Sequence, residues 1–393
     1  MNEVDVAILG AGAAGMMCAV EAGRRGRSVL VIDHNAAPGE KIRISGGGRC
    51  NFTNLEAPPT RFLSENPRFA VSALKRFTPR DFIARIDAAG IGWHEKTLGQ
   101  LFCDGSAKQI VALLTRQMAE AGAELWLGTT VEAVERGSDF LIRTSRGLVK
   151  ARRLVLATGG KSIPKMGATG LAYRLAAEFG LAVTETRPAL VPLTFAEQEL
   201  EGLRPLAGVS VPARVHCGKV AFEEGFLFTH RGLSGPSILQ ISSYWREGGE
   251  IRVDLLPGAT AGSTLRAMRS DNGKGSLGRG LAALLPEKLA QHVLARAGLS
   301  GTTRLGDLSN ASIDRLSVAI HDWRVRPVGS EGYRTAEVTL GGVDTDGLSS
   351  QTMEARTCPG LHVIGEAVDV TGWLGGYNFQ WAWSSGWAAG QAV

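Results

Sequence analysis

The chain has 393 residues, 44% of them hydrophobic, which is enough for two or three domains with substantial cores. Its 51 glycines sit in short loops between apolar runs and do not repeat, which excludes collagen-like and low-complexity character, and no stretch reaches the roughly 18 apolar residues of a membrane span. The formal charge of +5 and pI near 9.0 come from scattered arginines without a run of like charges, so they read as solubility charge and point away from a nucleic-acid partner.

The N-terminus, Met1 to Asp5, is acidic where a signal peptide would be basic. The five cysteines (Cys18, Cys50, Cys103, Cys217, Cys358) show no paired spacing, which argues against disulfides and a cysteine metal site. Both features lead us to expect a cytoplasmic protein without metal. Residues 4 to 33 then form one unit: an apolar strand, the turn G-A-G-A-A-G, an alanine-rich helix to about Gly26, and a second strand ending at Asp33. Gly10 permits the tight turn, Gly12 lets backbone N–H groups approach a pyrophosphate, and Gly15 allows helix to pack on strand. Ala13 and Ala14 open the helix, whose dipole favours the anion. Asp33 ends the second strand, where a carboxylate would accept from a ribose hydroxyl.

Just beyond lies Ile44-Ser-Gly-Gly-Gly-Arg-Cys-Asn51, in which Gly46, Gly47 and Gly48 allow close wrapping round a ligand, flanked by Lys41 and Arg49 to oppose phosphate and by Asn51. Cys50 reads as structural, with a place beside the ligand as the alternative. Helices are expected near 79–89 and 106–121, and β-rich text from Glu124 to Leu156 follows, containing Val131, which joins the cofactor-binding set. The buried strand at Leu154 runs into Thr158-Gly159-Gly160, a second glycine turn expected to return to the nucleotide. A literal G-x-G-x-x-G at Gly273–Gly278 lacks the preceding strand, and the Gly160-Lys161-Ser162 run lacks the first glycine of a phosphate loop, so neither is taken as a site.

From Pro188 the text changes to short strands and turns, then between Pro257 and Trp323 to helical periods, clearest at Leu277 to Arg296 and Ile313 to Trp323. We therefore expect an α/β nucleotide domain built from both chain ends (1–187 and 336–393), a β-barrel-like substrate domain (188–256 and 324–335) and a small helical domain (257–323). His230, in a glycine-flanked loop, is a weak catalytic candidate, with a structural histidine as its equal.

Near the other end, a strand delivers Gly365-Glu366 and then Asp369, whose carboxylate could accept from a ribityl hydroxyl. Gly375-Gly376-Tyr377-Asn378 opens a helix whose positive end would stabilise the negative charge of a reduced flavin. Together the two ends read as an FAD site. The tryptophans of that helix (Trp381, Trp383, Trp387) read as packing.

The segments G-A-G-A-A-G at 10, K-I-R-I-S-G-G-G-R-C-N-F-T-N at 41, A-T-G-G at 157, L-F-T-H-R-G-L-S-G-P at 227, A-E-V-T-L-G-G-V at 336 and the long run from Gly365 resemble a bacterial flavoprotein family related to aminoacetone oxidase. The resemblance implies a glutathione-reductase-type Rossmann-like FAD domain with an inserted β-barrel and a small helical domain. It also implies either oxidation of a small amine by O₂ or reduction of a carbon–carbon double bond, with NAD(P)H as a transient donor. Asp33 stands where that family has Glu, and Gly167-Ala-Thr-Gly-Leu-Ala-Tyr173 departs from its pattern. The expected function is thus hydride transfer between noncovalent FAD and a small organic substrate. The alternatives are an FAD-dependent tRNA-modifying protein and a flavin-binding protein without turnover.

Overall fold

In the computed structural model, which describes residues 1–393, the opening unit forms strand β1 (Asn2–Leu9), helix α1 (Ala13–Arg24) and strand β2 (Val29–Ile32). Both strands are buried along their apolar runs, as parallel strands covered on two faces must be. β1 lies between β2 and the long strand Gly147–Leu156, parallel to both, with Ala7 opposite Leu30 and Leu154. β2 pairs in turn with Glu124–Trp126.

The strand Gly147–Leu156 changes partners along its length. Its first residues bond the antiparallel hairpin Val131–Arg136 and Phe140–Thr144, while Leu154–Leu156 bond the distant strand Leu361–Val363 in parallel. A seven-stranded sheet results, and its central strands all point their C-terminal ends at the glycine turns. This is a Rossmann-like α/β domain.

The chain divides into Met1–Pro188 with Glu337–Val393, and Ala189–Ala336. The second unit carries a wholly antiparallel seven-stranded sheet whose edge strands, Trp323–Val325 and Gly329–Ser330, follow one another in the chain. Its α-helices are Glu197–Leu203, Pro236–Ser242, Ala261–Asp271, Leu277–Ala282, Glu287–Arg296 and Asn310–His321. The period expected to run from Leu277 to Arg296 is cut because Pro286, which has no N–H, stands at the start of the second piece. The helix expected from Ile313 begins earlier, where the Ser309 hydroxyl accepts from Ser312 N–H at 3.1 Å, and Trp323 already belongs to the following strand.

The two ends of the chain meet where the terminal helix, Tyr377–Gly390, packs on α1. A Cβ at Gly386 would stand 2.5 Å from the Ala14 carbonyl oxygen, and one at Gly390 would stand 2.5 Å from Glu21 Cβ and 2.9 Å from the Cys18 carbonyl oxygen. The tryptophans of this helix are packing groups. Trp381 Nε1 donates to the Gly365 carbonyl at 3.0 Å and Trp383 Nε1 to that of Phe52 at 2.8 Å, with the Trp383 ring stacked on Phe82 at 4.3 Å.

Replacing Gly386 by Ala should therefore destabilise. Helix propensity favours Ala by about 1 kcal/mol, but forcing a methyl against a helix backbone costs about 1–3 kcal/mol. Gly202→Ala, whose Cβ meets nothing within 4 Å in the helix Glu197–Leu203, should show the opposite sign. Urea denaturation midpoints of the two variants measure both effects.

Candidate functional site

The three glycines of the first turn have different tasks. Gly10, at φ +109°, lies so close to the neighbouring strand end that a Cβ would be 2.4 Å from the Ala157 carbonyl oxygen, and one at Gly15 would be 2.0 Å from that of Gly10. Both positions are therefore demanded by packing. Gly12 differs: it caps α1 in an extended conformation, and a Cβ there meets no protein atom within 4 Å. No side chain caps α1, so the first-turn N–H groups at Ala13 and Ala14 border an open cradle. The Asp33 carboxylate fixes this turn, accepting from Ala11 N–H at 2.7 Å and from Asn35 N–H at 2.8 Å. Each oxygen keeps a lone pair for a hydroxyl.

Glu366 is the polar centre of the opposite wall. Its carboxylate accepts from Lys41 Nζ at 2.6 Å, Ser162 Oγ at 2.8 Å and Thr339 N–H at 2.9 Å. Lys41, expected to oppose phosphate, is thus held by a nearer carboxylate, and it also bonds Ser162 at 2.6 Å. Gly160 makes room for the cluster, since a Cβ there would stand 2.4 Å from Thr339 Oγ1 and 2.7 Å from Glu366 Oε1. Gly159 adopts φ +73°, and Thr158 Oγ1 accepts from Ala172 N–H at 3.2 Å. Gly365, at φ +66°, brings this loop against Ala14, its Cβ position 2.9 Å from that of Ala14.

The terminal helix begins at Gly376, at φ +93°, without a side-chain cap. A Cβ there would strike the Thr53 carbonyl oxygen at 2.3 Å, and one at Gly375 would crowd Gln100. The Asn51 amide lies 3.2 Å from Gly376 N and 3.1 Å from Gln100. The side chains of Tyr377 and Asn378 serve structure here: the Tyr377 hydroxyl accepts from Arg61, its ring meets Phe62 edge-on, and Asn378 bonds both backbone groups of Gly372. Asp369 accepts from Glu65 N–H at 2.9 Å, and burial pushes its carboxyl above the usual carboxylate range.

The run after Lys41 is a helix, Glu40–Gly48, broken at Ser45–Gly47. Gly46 sits against the Phe102 ring, Gly47 faces open space, Gly48 has φ +85° and Arg49 is exposed. Cys50 is fully buried, and burial raises its thiol far above the range in which it would ionise. Val131 begins its strand two residues after Thr129, whose N–H donates to the Asp33 carbonyl at 2.9 Å. His230 lies exposed in the turn after the strand Val220–Thr229.

Ser162, Thr339 and Glu337 are site residues that motif reading did not single out. Thr339 Oγ1 accepts from Lys161 N–H at 2.8 Å and Ser162 N–H at 3.2 Å. Glu337 stands at a bend two residues before it, and its backbone carbonyl accepts from Ser162 Oγ at 3.3 Å. Its side chain touches solvent, yet protein crowds the carboxyl enough that burial pushes it up to about 7. Thr339 and Glu337 had only the run A-E-V-T-L-G-G-V as a signal, and Ser162 only the discounted Gly160-Lys161-Ser162 run. An open glycine cradle, an uncapped helix start and a carboxylate at the end of β2 fit an extended dinucleotide.

The family model described as HI0933-like protein Rossmann domain matches residues 4–392. A relative from Escherichia coli (strain K12) named ribosomal RNA dihydrouridine synthase is 49% identical, covering 100% of this chain and 98% of its own. A second of that name, from Haemophilus influenzae, is 44% identical over 98% and 97%. A 3-dehydro-bile acid delta(4,6)-reductase from Clostridium scindens is 30% identical over 100% and 99%. Among solved structures, a 3-ketosteroid-delta4-(5alpha)-dehydrogenase from Rhodococcus jostii RHA1 aligns at 14% identity and a TM-score of 0.49, covering 99% of this chain and 97% of its own. The two names that include ribosomal RNA stand against the expectation of a partner set without nucleic acid, and none of these relatives is named an amine oxidase. No helix is long and apolar enough to cross a membrane.

Removing the charge of Glu366 should loosen the site from within. Glu366→Gln leaves the Lys41 ammonium without its partner, and we expect a loss of about 1–3 kcal/mol. In chemical denaturation the double variant Glu366→Gln/Lys41→Met should lose less than the sum of the single changes.

Proposed function

The chain belongs to the HI0933-like Rossmann family, and from that premise we propose that it is an FAD-dependent reductase that saturates the C5=C6 bond of uridine in ribosomal RNA. The observation that carries this reading is full-length identity of 49% and 44% to two relatives named for that product. The relative at 30% is named as a reductase of carbon–carbon double bonds, which supports the same reaction type on a different skeleton. The cradle supports the cofactor.

The first-turn backbone at Gly10–Gly15 and the helix start at Gly375–Asn378 would hold FAD, which when bound would supply hydride, with a nicotinamide dinucleotide as its proposed transient donor. The residues of the chain do the rest. First-turn N–H groups of α1 neutralise the pyrophosphate, and Asp33 orients a ribose hydroxyl while holding Ala11. The Lys41–Glu366–Ser162 cluster keeps the second glycine turn in place. The positive end of the terminal helix favours negative charge beside it.

Uracil needs one hydride and one proton. Hydride addition at C6 leaves negative charge spread over C5 and O4, so a proton must arrive at C5. Glu337, whose backbone carbonyl accepts from Ser162 of the Glu366 cluster and whose carboxyl burial raises to about 7, is the residue we assign to hold that proton. A conjugated small molecule is the second reading, favoured by the bile-acid relative. Incubation with a nicotinamide donor and either unmodified ribosomal RNA or an enone separates the two: a mass gain of two hydrogens on uridine supports the RNA reading, and reduction of the enone alone overturns it.

Two variants probe the residues. Gly12→Leu should fold normally, since its Cβ meets no protein atom, yet purify colourless; a fully yellow variant would refute the cradle. For Glu337, a carboxyl raised by burial is protonated below about 7 and loses its proton above it. Product formation should therefore fall as pH rises through that value, and Glu337→Gln should lose roughly 10²–10⁴-fold and abolish that limb, while reduction of the flavin by the nicotinamide persists.

A further inference from the structure

The second unit contains an open cavity of about 410 Å³, whose lining includes Arg296, Arg324 and Arg326, the acids Glu199 and Glu250, and His292. This volume suits one nucleotide. The Arg296 guanidinium lies over the Trp323 ring at 5.2 Å, while its side chain remains exposed. A guanidinium held over an indole by cation–π attraction can present its exposed side to a base. Arg324 and Arg326 stand on the strand Trp323–Val325 and just after it, with side chains 59% and 72% exposed. Both reach toward Glu250 at 3.6 and 3.7 Å, too long for good hydrogen bonds; Arg324 Nε donates instead to the Asp322 carboxylate at 3.1 Å, which leaves the Arg326 guanidinium as the donor open to phosphate.

A further group lacks an internal explanation. His292 Nε2 is buried and makes no hydrogen bond. Burial, and then the charge of Arg296, hold this imidazole below its ordinary pKa and therefore neutral. Arg296, Arg324 and Arg326 meet Glu199 and Glu250 here, with Asp322 behind Arg324 and the buried rings of Phe195 and Trp323 beneath.

We propose that this cavity binds one nucleotide of single-stranded RNA, its base stacked on the exposed side of Arg296 and its phosphate held by Arg326. This assignment rests on the RNA reading above and adds to it a place where the substrate strand is gripped. Guanidinium pairs phosphate bidentately and stacks on bases, a combination that neither an acidic peptide nor an apolar helix would use in full.

The test measures binding of a fluorescein-labelled single-stranded oligouridine to the flavin-loaded protein by anisotropy at several salt concentrations. Arg296→Ala and Arg326→Ala should each weaken binding by roughly five- to tenfold, and Arg326→Ala should lower the salt slope by about 0.7. Arg116→Ala, which removes an exposed arginine paired with Glu120 in the other unit, should leave binding unchanged. Thermal melts and the flavin spectrum confirm that the variants fold, and the exposure of Arg326 makes it the safer of the two. If wild type binds and both pocket variants bind equally well, the pocket assignment is overturned while the RNA reading stands. If wild type binds no RNA, both fall. If the variants weaken binding of a nicotinamide dinucleotide and leave RNA binding intact, the cavity belongs to the free cofactor and the proposal is overturned.

Discussion

Everything at the site depends on one contact, the approach of the last helix to the first. Gly386 and Gly390, one turn apart, present bare backbone to Ala14, Cys18 and Glu21 of α1. Side chains at those positions would separate the helix axes, and the loop from Gly365 to Gly376 would move away from the glycine turn with them. Close packing tolerates little such displacement. Chain ends more than three hundred residues apart thus form a single wall, and Gly365 also stands in contact with Ala14.

Around that seam the polar groups are arranged so that none of the buried charge stands alone. Glu366 accepts from an ammonium, a hydroxyl and a backbone N–H, each from a different segment. Asp33 does the same for the first turn with two backbone N–H groups. Carboxylates so engaged act as clamps on backbone geometry, because withdrawing one strands several partners at once. The open places differ in kind: at Gly12 nothing occupies the space, and at Glu337 the carboxyl meets solvent from within a crowded surround. Chemistry belongs at such places, where a partner is still lacking.

The charge of the chain shows how composition can mislead. Scattered arginines without a run of like sign point away from nucleic acid, but Arg296, Arg324 and Arg326 come from a helix and a strand and line one cavity. A surface is assembled by the fold, and sequence spacing does not report it.

By itself the sequence determined the βαβ opening, the uses of Gly10 and Gly15, the strand running into Thr158–Gly160 and the packing role of the terminal tryptophans. These follow from short-range requirements: periodicity, positive φ, and the need of an apolar helix for a core. It also marked the residues of both chain ends as one site. Only the tertiary structure decided that Lys41 belongs to Glu366, that Asn378 and Tyr377 spend their side chains on neighbouring loops, and that Ser162, Thr339 and Glu337 join the wall. Each of those outcomes is a competition between partners distant in sequence, settled by which one the fold brings within about 3 Å.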